Sequence, residues 1–304
     1  MASFGKIMTA FALGLALQGG IYYYLDQIYF APTTDFEVTA SDGQEKDGNF
    51  PEVDGNKYYS EGHKYMAVVT QDSVKVYKSG EKTPTNIDLK GRSVSYFEWL
   101  PDRDLAIMGL YGGASDNVVL ARFDPESPEH EVDTTMEDLP ADSKIVDAAF
   151  STATNVVYMK IKVADNAYRI YRTDANYDTR RVYMQASNIG RIAVFYDEDI
   201  FFYDNVRTGD VFMFDGTEGG WRVINPPGRY RLIGVDKDKD IYIAKVDEDD
   251  KALSVMEGRL GVGFETVDTF ATQQDLKDIT VASIQKTIED KRSSGTGVTI
   301  KSNK

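Results

Sequence analysis

Three carboxylates at alternate positions, Asp236, Asp238 and Asp240, with Asp247 further on, are the chain's best candidate for a hard-cation loop. Calcium takes six to eight oxygens, and closely spaced carboxylates commonly nucleate its sites. However, the sixth position of such a loop is Ile241, where the sharp turn calls for glycine, and Tyr242 to Val246 reads as strand. The run is expected to be a solvated turn, with calcium as the competing option. A serine nucleophile fares worse. Gly113-Ala114-Ser115-Asp116-Asn117 carries asparagine where a nucleophile elbow needs glycine, and no strand–turn–helix pattern surrounds it. The two histidines do not supply a base. His63 sits beside Gly62 in a turn, and His130 falls in an acidic, proline-flanked stretch (Pro125 to Glu131) expected to be an exposed loop.

The absence of cysteine excludes disulfides, thiolate metal sites and cysteine nucleophiles. Paired carboxylates could hydrolyse glycosides, but 49 acidic residues supply chance pairs freely. A carboxylate enzyme requires two or three of them converging in one depression; a scaffold leaves them spread over outer turns. Gly258 to Gly263 is glycine-rich without the phosphate-binding order and reads as a hairpin turn. Aromatic residues beside glycine are better leads for binding. Trp221 follows Gly219-Gly220 and Tyr111 precedes Gly112-Gly113, so both are partner-binding candidates, with packing as the competing reading. Trp99, within Phe97-Glu98-Trp99-Leu100-Pro101, is expected in the core.

These residues must be positioned by a chain of 304 residues, long enough for a sizeable core. Its net charge of −15 argues against nucleic-acid binding, which requires basic residues in excess. From Ile7 to Leu25 there are 19 uncharged residues, roughly 28 Å as a helix and close to the thickness of a bilayer core. Tyr22, Tyr23, Tyr24, Tyr29 and Phe30 would form an interfacial aromatic belt. Residues 1–32 are expected to be a short stub and a retained single-pass anchor; a cleaved signal peptide and a buried helix are the alternatives. Lys6 precedes the span, whereas Asp26, Asp35, Glu37, Asp42 and Glu45 follow it before the first lysine. The positive-inside rule then places the N-terminus in the cytoplasm and the bulk of the chain outside, and an exported domain without cysteine points to a bacterial cell envelope.

Residues 33–49 are polar and acidic and read as a linker. From 50 to 272 the chain alternates short Val-, Ile-, Tyr- and Phe-rich runs with Asp, Gly, Asn and Pro clusters, an all-β pattern. A turn-then-strand unit recurs at Tyr58–Met66, Phe97–Leu105, Phe150–Val156, Val194–Ile200 and Ile233–Ile241. Strand starts at 66, 105, 156, 200 and 241 are 39, 51, 44 and 41 residues apart. A period of roughly 40 to 50 residues with about four strands is that of a propeller blade. At this level the region resembles the β-propellers of the TolB, NHL and YncE-like kind, in which an Asp-rich turn precedes a blade's first strand. At this period about 220 residues give five blades, and a sixth could be completed by Phe36 to Ala40 or by the tail. Tandem β-sandwiches are the structural alternative. Asp275 to Arg292 has helical spacing, and the basic end of the chain reads as a mobile tail.

Together these features point to an envelope-anchored propeller that binds protein or glycan without a cofactor, alone or as a subunit of a membrane complex. The alternative is an anchored, polysaccharide-acting glycosidase that uses paired carboxylates.

Overall fold

The computed structural model describes residues 48–114 and 117–293, with side chains for all of these except 128–133. The expected anchor, its aromatic belt, most of the linker, Phe36 to Ala40, Ser115 and the basic tail beyond Ser293 lie outside the described residues. Among those described, no helix is long and apolar enough to cross a membrane.

The chain folds into five four-stranded antiparallel sheets, each built from four consecutive strands. The first contains β1 (Asn56–Tyr59), β2 (Tyr65–Thr70), β3 (Ser73–Lys78) and β4 (Thr85–Asn86). The second contains β5 (Ser93–Trp99), β6 (Ala106–Tyr111), β7 (Val118–Asp124) and β8 (Ser127–Met136). The third contains β9 (Lys144–Ser151), β10 (Val156–Ala164), β11 (Ala167–Thr173) and β12 (Thr179–Val182). The fourth contains β13 (Ile189–Val194), β14 (Ile200–Asn205), β15 (Val211–Asp215) and β16 (Trp221–Val223). The fifth contains β17 (Tyr230–Val235), β18 (Ile241–Val246), β19 (Ala252–Arg259) and β20 (Gly263–Gln274). A 3₁₀ turn (Leu276–Asp278) and a helix, α1 (Val281–Ser293), follow. This is the architecture of a β-propeller, one meander per blade.

Two details differ from the sequence reading, each for a physical reason. The repeated turn joins the first and second strands of each sheet; it does not precede the first. The strand after it is buried on both faces, because a neighbouring sheet packs on either side. Such strands read as continuous apolar runs, Tyr65 to Val69 and Ala106 to Leu110 for example, and are easily taken for the start of a unit. The first strands, with fewer buried positions, merge with the preceding loops. Second, His130 lies in β8 and not in a loop. β7 and β8 pair from Asp124↔Ser127, so only Pro125 and Glu126 make the corner. Pro128 falls in the register shift between the Arg122↔Glu131 and Asp124↔Ser127 pairs of this edge strand, so its missing N–H breaks no pair of the ladder.

Each inter-sheet seam is a separate apolar core. Trp99 stacks on Tyr65 with ring centroids 6.2 Å apart and donates from Nε1 to the Tyr58 carbonyl at 3.1 Å, joining the first and second sheets. Ile107, Leu120, Ile145 and Met159 join the second to the third. Tyr158 and Phe201, stacked at 4.3 Å, join the third to the fourth. Phe202, Met213, Leu232 and Ile243 join the fourth to the fifth. The other face of the fifth sheet carries Ile233, Tyr242, Ala244, Val255 and Val267, and α1 covers it with Ile284 and Ile288. The tail therefore supplies a helix where a sixth blade would need strands.

Candidate functional site

In a four-strand meander, the first-to-second and third-to-fourth connections emerge at the same end. Here that end gathers the repeated turns of all five sheets, Asp-rich in the second, fourth and fifth, and ion pairs tie neighbours together. Lys64 of the first sheet reaches Asp104 at 3.7 Å and Glu126 at 2.9 Å on the second. Lys239 of the fifth reaches Asp197 at 3.2 Å, and Glu198, on the fourth. Asp199 extends the same turn inward. It accepts from Tyr158 Oη at 2.5 Å and from Arg172 Nη2 at 2.6 Å, locking the third sheet to the fourth.

Two of the three carboxylates of the candidate calcium loop serve this architecture. Asp236 Oδ1 accepts the backbone N–H groups of Asp238 (3.0 Å) and Asp240 (2.9 Å), and its Oδ2 accepts from Tyr242 Oη (2.8 Å) and Gln285 Nε2 (2.9 Å). Asp240 is paired with Arg259. Oxygens so engaged are poor cation ligands. Among the described residues no group of three or more His, Cys, Asp or Glu side chains is arranged to hold a metal ion.

Five of the seven exposed large hydrophobic residues among those described lie at this Asp-turn end: Tyr59, Tyr177, Tyr196, Leu260 and Val262. Val262 is 83% exposed at the tip of the β19–β20 hairpin, the turn expected from the glycine pattern. His63 lies here too, stacked on Tyr59. The two aromatic residues singled out in the sequence are placed differently. Trp221 is half-buried against Phe214, with ring centroids 4.6 Å apart, and donates from Nε1 to the Tyr183 carbonyl. Tyr111 is at the opposite end, where its hydroxyl accepts from Gln71 at 2.8 Å.

A pocket of about 290 Å³ opens at the Asp-turn end between the second and third sheets. Leu105, Ile107, Leu120 and Phe150 are among its walls, and Arg103, Arg122 and Tyr177 also line it. Arg122 lies 5.2 Å from the centre of the Tyr177 ring and donates to its hydroxyl. Sequence inspection missed this site because its walls come from five strands of two sheets.

A second cluster sits on the inner strands. Tyr96 Oη donates to Glu98 on β5, and Asp147 of β9 is close enough to act on both electrostatically. Burial, with the Asp147 charge adding to it and the Tyr96 bond opposing, pushes Glu98 up to about 7. Tyr58 of β1 is raised by burial and by Glu98. Lys160 stands opposite Asp147 in the β9–β10 register and donates to the Gly190 carbonyl at 2.5 Å. Asp204, fully enclosed, is pushed up to about 6 by burial, although Arg231 (3.6 Å) and Lys160 pull it down. Gly190 is required there, since a Cβ would collide with the Asp204 carboxylate.

The fold and this site define the class: a five-sheet β-propeller with a polar inner seam and an aromatic turn face. Two solved structures, each at a TM-score of 0.50, share the fold. The chain superposes on Porphyromonas gingivalis dipeptidyl peptidase 4 with a TM-score of 0.50 at 11% identity, covering 72% of this chain and 39% of that one. A structure from a study of two prolyl endopeptidases gives 0.50 at 11%, with 71% and 36% covered. A putative TolB from Agrobacterium tumefaciens gives 0.48 at 13%, with 72% and 82% covered. The chain thus spans well under half of either peptidase-study chain. No family model and no curated protein matches the sequence.

Proposed function

We propose that this chain is an envelope-anchored propeller that binds a partner protein through its Asp-turn face. The observation that carries the reading is the gathering of Tyr59, Tyr177, Tyr196, Leu260 and Val262 at one end of a stiff stack of sheets. Scattered exposed apolar residues are ordinary, but a shared face of tyrosines and aliphatic tips is the composition of a binding surface. The enclosed Arg172–Asp199 pair, which joins the third and fourth sheets at this end, supports it by fixing neighbouring turns before a partner arrives. Glycan is the other ligand that tyrosine faces accommodate.

The test is affinity purification of the full-length chain from its native membrane in mild detergent. Stoichiometric partners should co-purify with the wild type and be lost with Tyr59→Ala/Tyr196→Ala/Val262→Ser. Partner capture unchanged by that triple substitution would refute the assignment of this face.

A second reading has its own observation. Glu98, bonded to Tyr96 and within electrostatic reach of Asp147 and Tyr58, is a carboxyl raised to about 7 and so suited to general-acid catalysis. A polysaccharide-hydrolysing activity abolished by both Glu98→Gln and Asp147→Asn would favour it.

A further inference from the structure

The pocket between the second and third sheets combines three features that select one class of ligand. Its depth is apolar, walled by Leu105, Ile107, Leu120 and Phe150. A cationic group stands at its edge. Arg103 binds Asp102 through Nε (3.0 Å) and Nη2 (2.7 Å), and this arrangement leaves Nη1 for a ligand; the side chain is 47% exposed. The one carboxylate among the lining residues, Asp174, is turned into its own loop. It accepts from the N–H groups of Asn176 (2.9 Å) and Asp178 (3.2 Å) and faces Arg172 at 3.6 Å. The third feature is polar and unsatisfied. Thr152 and Thr173 line the pocket, are 8% and 5% exposed, and have hydroxyl oxygens without a hydrogen-bond partner. Buried hydroxyls are normally bonded, so these two oxygens, enclosed in the pocket wall, are unmet polar groups beside the cavity. A volume of about 290 Å³ is at the small end of ligand sites, enough for one compact group.

We propose that this pocket binds a compact apolar group bearing a carboxylate, with the apolar part between the sheets and the carboxylate on Arg103. The proposal deepens the reading of the Asp-turn face as a binding surface, and rests on it. Two sources present this chemistry: a free carboxylic acid, and the C-terminal residue of a partner chain.

Isothermal titration calorimetry on the full-length chain in detergent separates them. The probes are N-acetyl-leucine and N-acetyl-phenylalanine, their amides, and a hexapeptide ending in leucine as free acid or as amide. The acids should bind at least tenfold more tightly than the amides. Arg103→Gln, on an exposed turn, should erase that preference while leaving the melting temperature within about 2 °C, as for surface substitutions. A peptide acid that outbinds N-acetyl-leucine tenfold identifies a chain terminus; equal affinities identify a small acid. Equal binding of acids and amides, a preference that survives Arg103→Gln, or no binding of any probe at millimolar concentration would overturn the proposal. Failure here with partner capture still sensitive to Tyr59, Tyr196 and Val262 removes the pocket alone. Acid binding that persists while capture ignores those residues removes the face alone.

Discussion

Glu98 shows how one side chain in a stacked-sheet protein can set a pH dependence. Its carboxyl titrates near 4.5 in the unfolded chain and about 7 in the fold, chiefly because the seam excludes water. A raised carboxyl means the folded chain holds more protons than the unfolded one between those values, so stability falls as pH rises from about 4.5 to about 7. The full shift corresponds to about 3 kcal/mol. Asp204, raised to about 6, adds a fall in the same direction at lower pH. Glu98→Gln keeps the shape and hydrogen bonding of the protonated acid without the charge. Urea denaturation from pH 4.5 to 8 should show a flatter profile for this variant, and a gain of about 1–3 kcal/mol at pH 8. An unchanged slope would mean that Glu98 titrates as an ordinary surface acid. Strand alternation in the sequence could place Glu98 on one face of β5. That Asp147, 49 positions away, shares the seam depends on how two sheets stack, which no local pattern records.

Among elements, the five meanders were legible because their turns are chemically repetitive. An Asp-rich turn after an apolar strand recurs at Asp102–Asp104, Asp197–Asp199 and Asp236–Asp240, and in the last Asp236 closes it by accepting the N–H groups of Asp238 and Asp240. The left-handed residue in this turn falls on His63, Asn155 and Lys239 in three of the sheets, so composition alone underreports the motif. The helix near the C-terminus was legible from its spacing, but not its task. α1 covers an apolar face whose residues alternate, Ile233, Tyr242 and Ala244, with those facing the fourth sheet. Arg191 of the fourth sheet pins the lead-in, donating to the carbonyls of Leu276 (2.7 Å) and Ile279 (3.0 Å). A free fifth sheet would expose this face to water, so the helix is part of the core. Ile288→Ala should cost about 2–4 kcal/mol in chemical denaturation, as for a fully buried aliphatic side chain. The same change at exposed Glu289 should cost less than about 0.5 kcal/mol. Equal effects at the two positions would mean that the helix is only loosely docked.

For the whole molecule, charge and anchoring make a joint prediction. The net charge of −15 falls outside the first 32 residues, where Lys6 and Asp26 cancel. Acids on the Asp-turn face are largely tied into turns and neighbour pairs, yet their field still extends about 8 Å into physiological salt. A partner that approaches this face should therefore present lysine and arginine around its apolar contact, with any carboxylate confined to the pocket beside Arg103. Association should be fast at low salt and should weaken as salt rises from 50 to 500 mM, mainly through the on-rate. The anchor expected over residues 7–25 adds a second measurable behaviour. The full chain should stay with the membrane fraction after alkaline carbonate washing, and a chain starting at Gly48 should be released into the supernatant. The two tests are separable: the shortened chain should keep the salt dependence toward a purified partner, because the face lies within the sheets. Salt-insensitive association would mean that apolar contacts alone select the partner. Release of the full chain by carbonate would mean that residues 7–25 do not span a bilayer.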